Sequence, residues 1–258
     1  MNLFRIRGIQ LQLHVTFFIL IAFIAQDGWV EARWTGLLWS VATVLAFFTC
    51  VVLHELGHSL TARRFGIGVR RILLMPIGGM AEFDDIPRQP LREFLITVAG
   101  PAVNFAIVGA LWFMPLGADH GDVLRYSLAG LVEQVWVANL VMGCFNLLPA
   151  FPMDGGRILR ALLATRLPYV RATLWAAAVG KVLAVLGVAL ALAAPWLGLT
   201  DEPLYLLAVL FSFIFIAGEI EYRAVKRREV EDAHWRDVMA RLDVPNRARS
   251  EPPPLLLP

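Results

Sequence analysis

The sequence predicts an all-α membrane protein, a bundle of six transmembrane helices with a short membrane-associated β element. Three observations predict it. The first is composition: 58% of the 258 residues are hydrophobic and 17% are charged, with a mean hydropathy of +0.65. Soluble domains run at roughly 45–50% apolar and about 25% charged. The balance excludes an ordinary soluble enzyme, and it excludes intrinsic disorder, which needs low hydrophobicity and high charge. Two cysteines cannot build a disulfide framework, and a net charge of +2 suggests no polyanionic partner such as a nucleic acid. The second observation is six runs that approach the roughly 20 apolar residues a membrane span requires. The third is the segregation of positive charge. With six spans and a cytoplasmic N-terminus, 20 of the 23 Lys and Arg fall on the inner side, and only Arg33 and Arg125 fall outside. The positive-inside rule then predicts both termini in the cytoplasm.

The spans are expected at about 11–26, 36–60, 92–114, 124–147, 172–194 and 203–220. The first carries Gln10, Gln12 and His14 at its start and follows Arg5 and Arg7, which also suits a signal peptide. The remaining spans need it for a consistent orientation, so it is read as a span. Two inner stretches are not ordinary loops. Residues 66–84 alternate short apolar runs with Pro76 and the Gly78-Gly79 pair, the pattern of two strands around a turn. Residues 146–157, NLLPAFPMDGGR, contain two prolines and two glycines that forbid a regular helix. Irregular backbone at membrane depth is tolerated only where protein buries it or where it lines a wet cavity. Residues 1–220 are therefore expected to form the membrane domain and 221–258 a basic cytoplasmic tail. In that tail 221–243 is a charged helix with Trp235, Val238, Met239 and Leu242 on one face, and the Pro-rich 251–258 is disordered.

The second span ends in His54-Glu55-Leu56-Gly57-His58. Residues four apart share a helix face, so the two imidazoles can reach one ion with Glu55 beside them. This is the H-E-x-x-H signature, two zinc ligands and a general base. The seventeen largely apolar residues before it span about 25 Å of helix at 1.5 Å per residue, which puts the motif inside the bilayer near its cytoplasmic side. Ionisable side chains are costly there and rarely idle. Zinc needs a third protein ligand and an open position. Asp154 is a candidate, carried inward by the broken segment; it is equally a candidate N-cap for a helix over 156–166.

Three motifs stand in order: His54-Glu55-x-x-His58, Gly100-Pro101-x-x-Asn104, and Asn146-x-x-Pro149-x-x-x-x-Asp154-Gly155. They resemble those of the site-2 protease family of intramembrane zinc metalloproteases, and the resemblance covers about residues 1–220. It implies one Zn2+ per chain, with Asp154 as third ligand and Glu55 as the base for the attacking water. It also implies a membrane-protein substrate, single-span by expectation, and a β element near the entering substrate. The compact form, without the PDZ and CBS modules some members carry, suggests a prokaryotic inner membrane.

Other residues take plainer readings. Asn146 is either a polar contact to substrate backbone or active-site water, or a helix C-terminal cap. Asn104 is either such a contact or a hydrogen-bonding residue between spans. Cys50 and Cys144 read as buried thiols, Lys181 as paired with a carboxylate or carbonyl or lining a water path, and Arg157 and Arg160 as interface anchors. Two rivals stand against the protease. In one, Glu219 or Glu221 replaces Asp154 as ligand; in the other, the chain is a metal-binding or transport protein without proteolytic activity. An edge strand at 68–75 or 79–83 is expected to pair with unwound substrate, so proline at Ile77 or Met80 should impair cleavage.

Overall fold

The computed structural model describes residues 1–75, 78–83, 88–113 and 127–241. Ile77 and the Pro-rich end therefore lie outside the described residues. Strands β1 (Asn2–Ile6) and β2 (Ile9–Leu13) come first, then helix α1 (Thr16–Arg64), strands β3 (Val69–Met75) and β4 (Gly78–Phe83), and helix α2 (Pro90–Trp112). Helices α3 (Leu128–Asn146), α4 (Asp154–Ala164), α5 (Tyr169–Ala193) and α6 (Tyr205–Arg241) complete the chain. Five of these helices, all but α4, are long and apolar enough to cross a membrane.

α1 is a hairpin rather than one rod. Ala32 and Arg33 leave helical geometry, Arg33 at φ 52°. The Phe17 and Phe48 rings meet at 4.5 Å, whereas 31 residues of unbroken helix would hold them about 46 Å apart. The two limbs touch through backbone at Gly28 and Gly36, where a Cβ on Gly36 would lie 1.9 Å from the Gly28 carbonyl oxygen. At the bend Trp29 and Trp34 stack edge to face, and the Arg33 guanidinium lies 5.8 Å from the Trp29 ring.

The β element is larger than expected. β3 and β4 form the predicted antiparallel pair, but they belong to a four-stranded sheet in the order β1-β2-β3-β4, with β2 parallel to β3. Residues 11–13, expected as the start of the first span, are the end of β2. The signal was present as a period of two: Ile9, Leu11 and Leu13 are buried while Gln10 and Gln12 alternate with them. A hydropathy window averages over that alternation. The buried face of the sheet, with Ile72 and Leu74 from β3, packs on Phe17, Phe48 and Val51 of α1 and Ile96 of α2.

The remaining elements follow their local chemistry. α2 opens on Pro90, whose missing N–H costs nothing in a first turn. α5 presents small residues, among them Ala176, Ala177, Gly180 and Ala184, which let neighbouring backbone approach; a Cβ on Gly180 would lie 2.9 Å from Ala150 Cα. α6 continues without a break past residue 220, so the charged segment from 221 is an extension of the last apolar helix. Large apolar side chains such as Leu206, Val209 and Leu186 stay exposed, as a surface against lipid requires.

Candidate active site

His54 and His58 lie one turn apart on the second limb of α1, both buried, with Nε2 atoms 3.1 Å apart. Asp154 is the first residue of α4. The N-cap of that helix is Met153, so the Asp154 carboxylate is free of capping. Its Oδ2 lies 3.3 Å from His54 Nε2 and 3.2 Å from His58 Nε2. The turn before α4 delivers it there. Gly155 and Gly156 pack where a Cβ would fall 2.1 Å from the Leu148 carbonyl oxygen and 2.7 Å from the Ala150 carbonyl carbon. The chain can fold back on its own helix start only because both positions lack side chains.

The donor set fits one zinc ion. His58 Nδ1 bonds the Ile96 carbonyl oxygen at 2.8 Å, and His54 Nδ1 bonds Asn104 Oδ1 at 2.6 Å. Both partners only accept, so both Nδ1 atoms carry the hydrogen and both Nε2 atoms present lone pairs inward. Asp154 Oδ2 is buried without a hydrogen-bond donor. Three lone pairs thus converge in a triangle with edges of 3.1 to 3.3 Å. Bonds of 2.0–2.1 Å to a tetrahedral zinc place ligand atoms about 3.3–3.4 Å apart. Among the described residues these three are the one cluster of His, Cys, Asp and Glu close enough to share an ion.

Gly100 explains its own place in the motif. A Cβ there would lie 2.2 Å from His58 Nε2 and 2.8 Å from His54 Nε2, so the bare backbone of α2 forms one wall of the site. Gly57 does the same for the helix pair, since its Cβ would meet the Ala99 carbonyl oxygen at 2.6 Å. Glu55 is half-buried beside the ligands, and β4 runs against it: a Cβ on Gly79 would come 2.7 Å from Glu55 Cγ.

The family model described as Peptidase family M50 matches residues 42–134 and 114–187. The chain belongs to peptidase family M50. A zinc metalloprotease of Methanocaldococcus jannaschii is 39% identical over 228 residues, which cover 87% of this chain and 61% of that relative. The stage IV sporulation protein FB of Bacillus subtilis is 30% identical over 145 residues, 56% of this chain and 48% of the relative. This chain therefore spans less than two thirds of the length of either. Among solved structures, the site-2 protease from Methanocaldococcus jannaschii matches with a TM-score of 0.58 at 36% identity, over 86% of this chain and 94% of that one. The resemblance read from the three motifs holds at the level of the family.

The other candidates sort by geometry. Asn104 touches the ligand shell through His54, while Asn146, the last residue of α3, is half-buried and bonds none of the three ligands. Glu219 pairs with Lys181 and Arg223, and Glu221 pairs with Arg160, so neither late glutamate reaches the histidines. Cys50 is buried as expected; Cys144 is exposed, because it faces outward from a lightly buried helix. Arg160 is not an interface anchor. It is buried, donating from Nε and Nη2 to Glu93 Oε1 at 2.8 and 2.6 Å and from Nη1 to Glu221. Tyr169 Oη donates to the same Glu93 oxygen at 3.3 Å. Sequence reasoning missed this cluster because Arg160 lies 67 residues from Glu93 and 61 from Glu221, and Tyr169 lies 76 from Glu93.

Proposed function

We propose that the chain is an intramembrane zinc metalloprotease that hydrolyses peptide bonds within or next to transmembrane segments of membrane proteins. The observation that carries this reading is the convergence of two bare Nε2 atoms and one carboxylate oxygen beside Glu55, buried at the end of an apolar helix. Held by His54, His58 and Asp154, a zinc ion would polarise a water molecule and stabilise charge developing on the scissile carbonyl oxygen. Glu55 takes the water's proton during attack and returns it to the leaving amine. The wall at Gly100 leaves the metal position open, and Asn146 contacts substrate backbone or active-site water from the end of α3.

A transmembrane substrate hides its peptide bonds in its own helix and must unwind before attack. β3 is paired on both sides, so the outer edge of β4 is the edge available near Glu55. We read it as the strand on which an unwound segment pairs by main-chain hydrogen bonds.

Counting both limbs of α1 with α2, α3, α5 and the apolar part of α6 makes six spans. The positive-inside distribution then puts both termini in the cytoplasm, with residues 1–220 as the protease and 221–258 as its tail. A prokaryotic cell membrane and a single-span substrate complete the reading.

The test uses purified chain in liposomes with a single-span peptide. Wild type should cleave it. Glu55→Gln should bind zinc equally yet lose about 10²–10⁴-fold in rate, the usual worth of a general base. Undiminished function in Glu55→Gln would overturn the proposal and favour a metal carrier.

A further inference from the structure

α3 is the least buried of the helices near the proposed metal ligands: its buried residues are Gly130, Asn139 and Gly143. Its one buried side chain longer than hydrogen is therefore an amide. Asn139 is fully buried, and so is Asn104 opposite it on α2. Asn104 Nδ2 donates to Asn139 Oδ1 at 2.9 Å, and Asn139 Nδ2 donates to the Val135 carbonyl oxygen at 2.8 Å. Gly143, one turn along, brings α3 close enough, since a Cβ there would lie 3.3 Å from Asn104 Cβ.

This chain of bonds has a direction. The Val135 carbonyl can only accept, so it holds the NH2 end of the Asn139 amide and turns its oxygen toward Asn104. Asn104 must answer with its own NH2, which turns its oxygen toward His54. His54 Nδ1 must then carry the proton, and Nε2 is left bare at the metal position. Without Asn139 the Asn104 amide can rotate by half a turn at little cost. Its NH2 would then face His54 Nδ1 and favour the tautomer with hydrogen on Nε2, where the ion has to bind.

We infer that Asn139 is a positioning residue of the metal site: through Asn104 it sets the tautomer and ring orientation of His54. The inference rests on the proposed zinc site and extends it to a helix that supplies no ligand. Partners one step behind a metal-bound histidine are typically worth 10- to 100-fold in metal affinity, and here the partner's own partner is anchored to a backbone carbonyl.

Zinc affinity, by competition with a chelator, and the visible spectrum of the cobalt(II) form are measured for the full chain in detergent. Asn139→Leu keeps the branching at Cγ and removes the amide. Asn139→Asp keeps an acceptor for Asn104 Nδ2 and, as a carboxylic acid, an O–H for Val135. The expected result is a 10- to 100-fold loss of zinc affinity and an altered cobalt spectrum for N139L, with N139D within about threefold of wild type. The double variant N104L/N139L should be no worse than N104L alone. Melting is followed in parallel. If N139L does not purify as a folded species, Asn139→Ala takes its place. Wild-type affinity and spectrum in N139L, with only its melting temperature lowered, would make Asn139 a packing residue and overturn the inference. So would equal losses in N139L and N139D. Failure of wild type itself to bind zinc would instead overturn the proposed site, and the inference with it.

Discussion

A methyl group on Gly100 would sit 2.2 Å from His58 Nε2 and 2.8 Å from His54 Nε2, inside the volume an ion must occupy. Gly100→Ala is therefore expected to abolish zinc binding while helix content survives, checked by metal analysis and circular dichroism; stoichiometric zinc in that variant would contradict the geometry. The same residue scale separates ligands from their neighbours. Glu55 follows His54 by one residue, about 100° around the helix, so it lies beside the ligand face and remains available for proton transfer. Asp154 was ambiguous between cap and ligand in the sequence because both roles use a carboxylate at a helix start. The structure leaves the cap position to Met153 and brings Oδ2 to 3.3 and 3.2 Å from the two imidazole Nε2 atoms.

At the scale of elements, the site depends on how α4 is held. Arg160 ties α4 to Glu93 on α2 and Glu221 on α6, and its guanidinium lies 5.2 Å from the Phe151 ring in the turn that delivers Asp154. Removing one partner of a buried pair strands the other's charge, at a cost of about 3–5 kcal/mol. Arg160→Ala should lose stability on that order in detergent unfolding and weaken zinc binding as α4 shifts; unchanged unfolding would show that the pair is idle. β4 is the second element with a task. Met80→Pro, on the strand that packs against Glu55, is expected to impair cleavage of a single-span peptide with zinc content unchanged, and normal cleavage would remove the edge strand from the mechanism.

For the whole molecule, the candidate zinc site would join α1 to α4 across about a hundred residues of chain. Any ligand that binds only the folded state stabilises it, by about 4 kcal/mol at a thousandfold excess over Kd. Chelation should thus lower the melting temperature of wild type and of Glu219→Ala, and leave that of Asp154→Ala unmoved; a shift in Asp154→Ala would mean that a different group holds the metal. The same reasoning explains what hydropathy could and could not reveal. Long apolar runs marked the helices because a span must be apolar along its length. β2 went unseen because its burial alternates residue by residue, β1 because it is largely exposed, and the buried Arg160 looked like any other arginine because its acidic partners are remote in sequence.

Composition, the distribution of arginine and three short motifs determined by themselves that the chain belongs in a membrane and which family it resembles, and they nominated His54, Glu55, His58 and Asp154 as its candidate site. Those features are local, or summed over the chain, so they survive without coordinates. The reversal of α1 at residues 32–33, the four-stranded sheet, the Arg160 cluster and the Asn139–Asn104–His54 bonds were decided only by tertiary structure. Each rests on groups that meet across long stretches of chain or on a backbone angle that no residue type announces, and a sequence records neither.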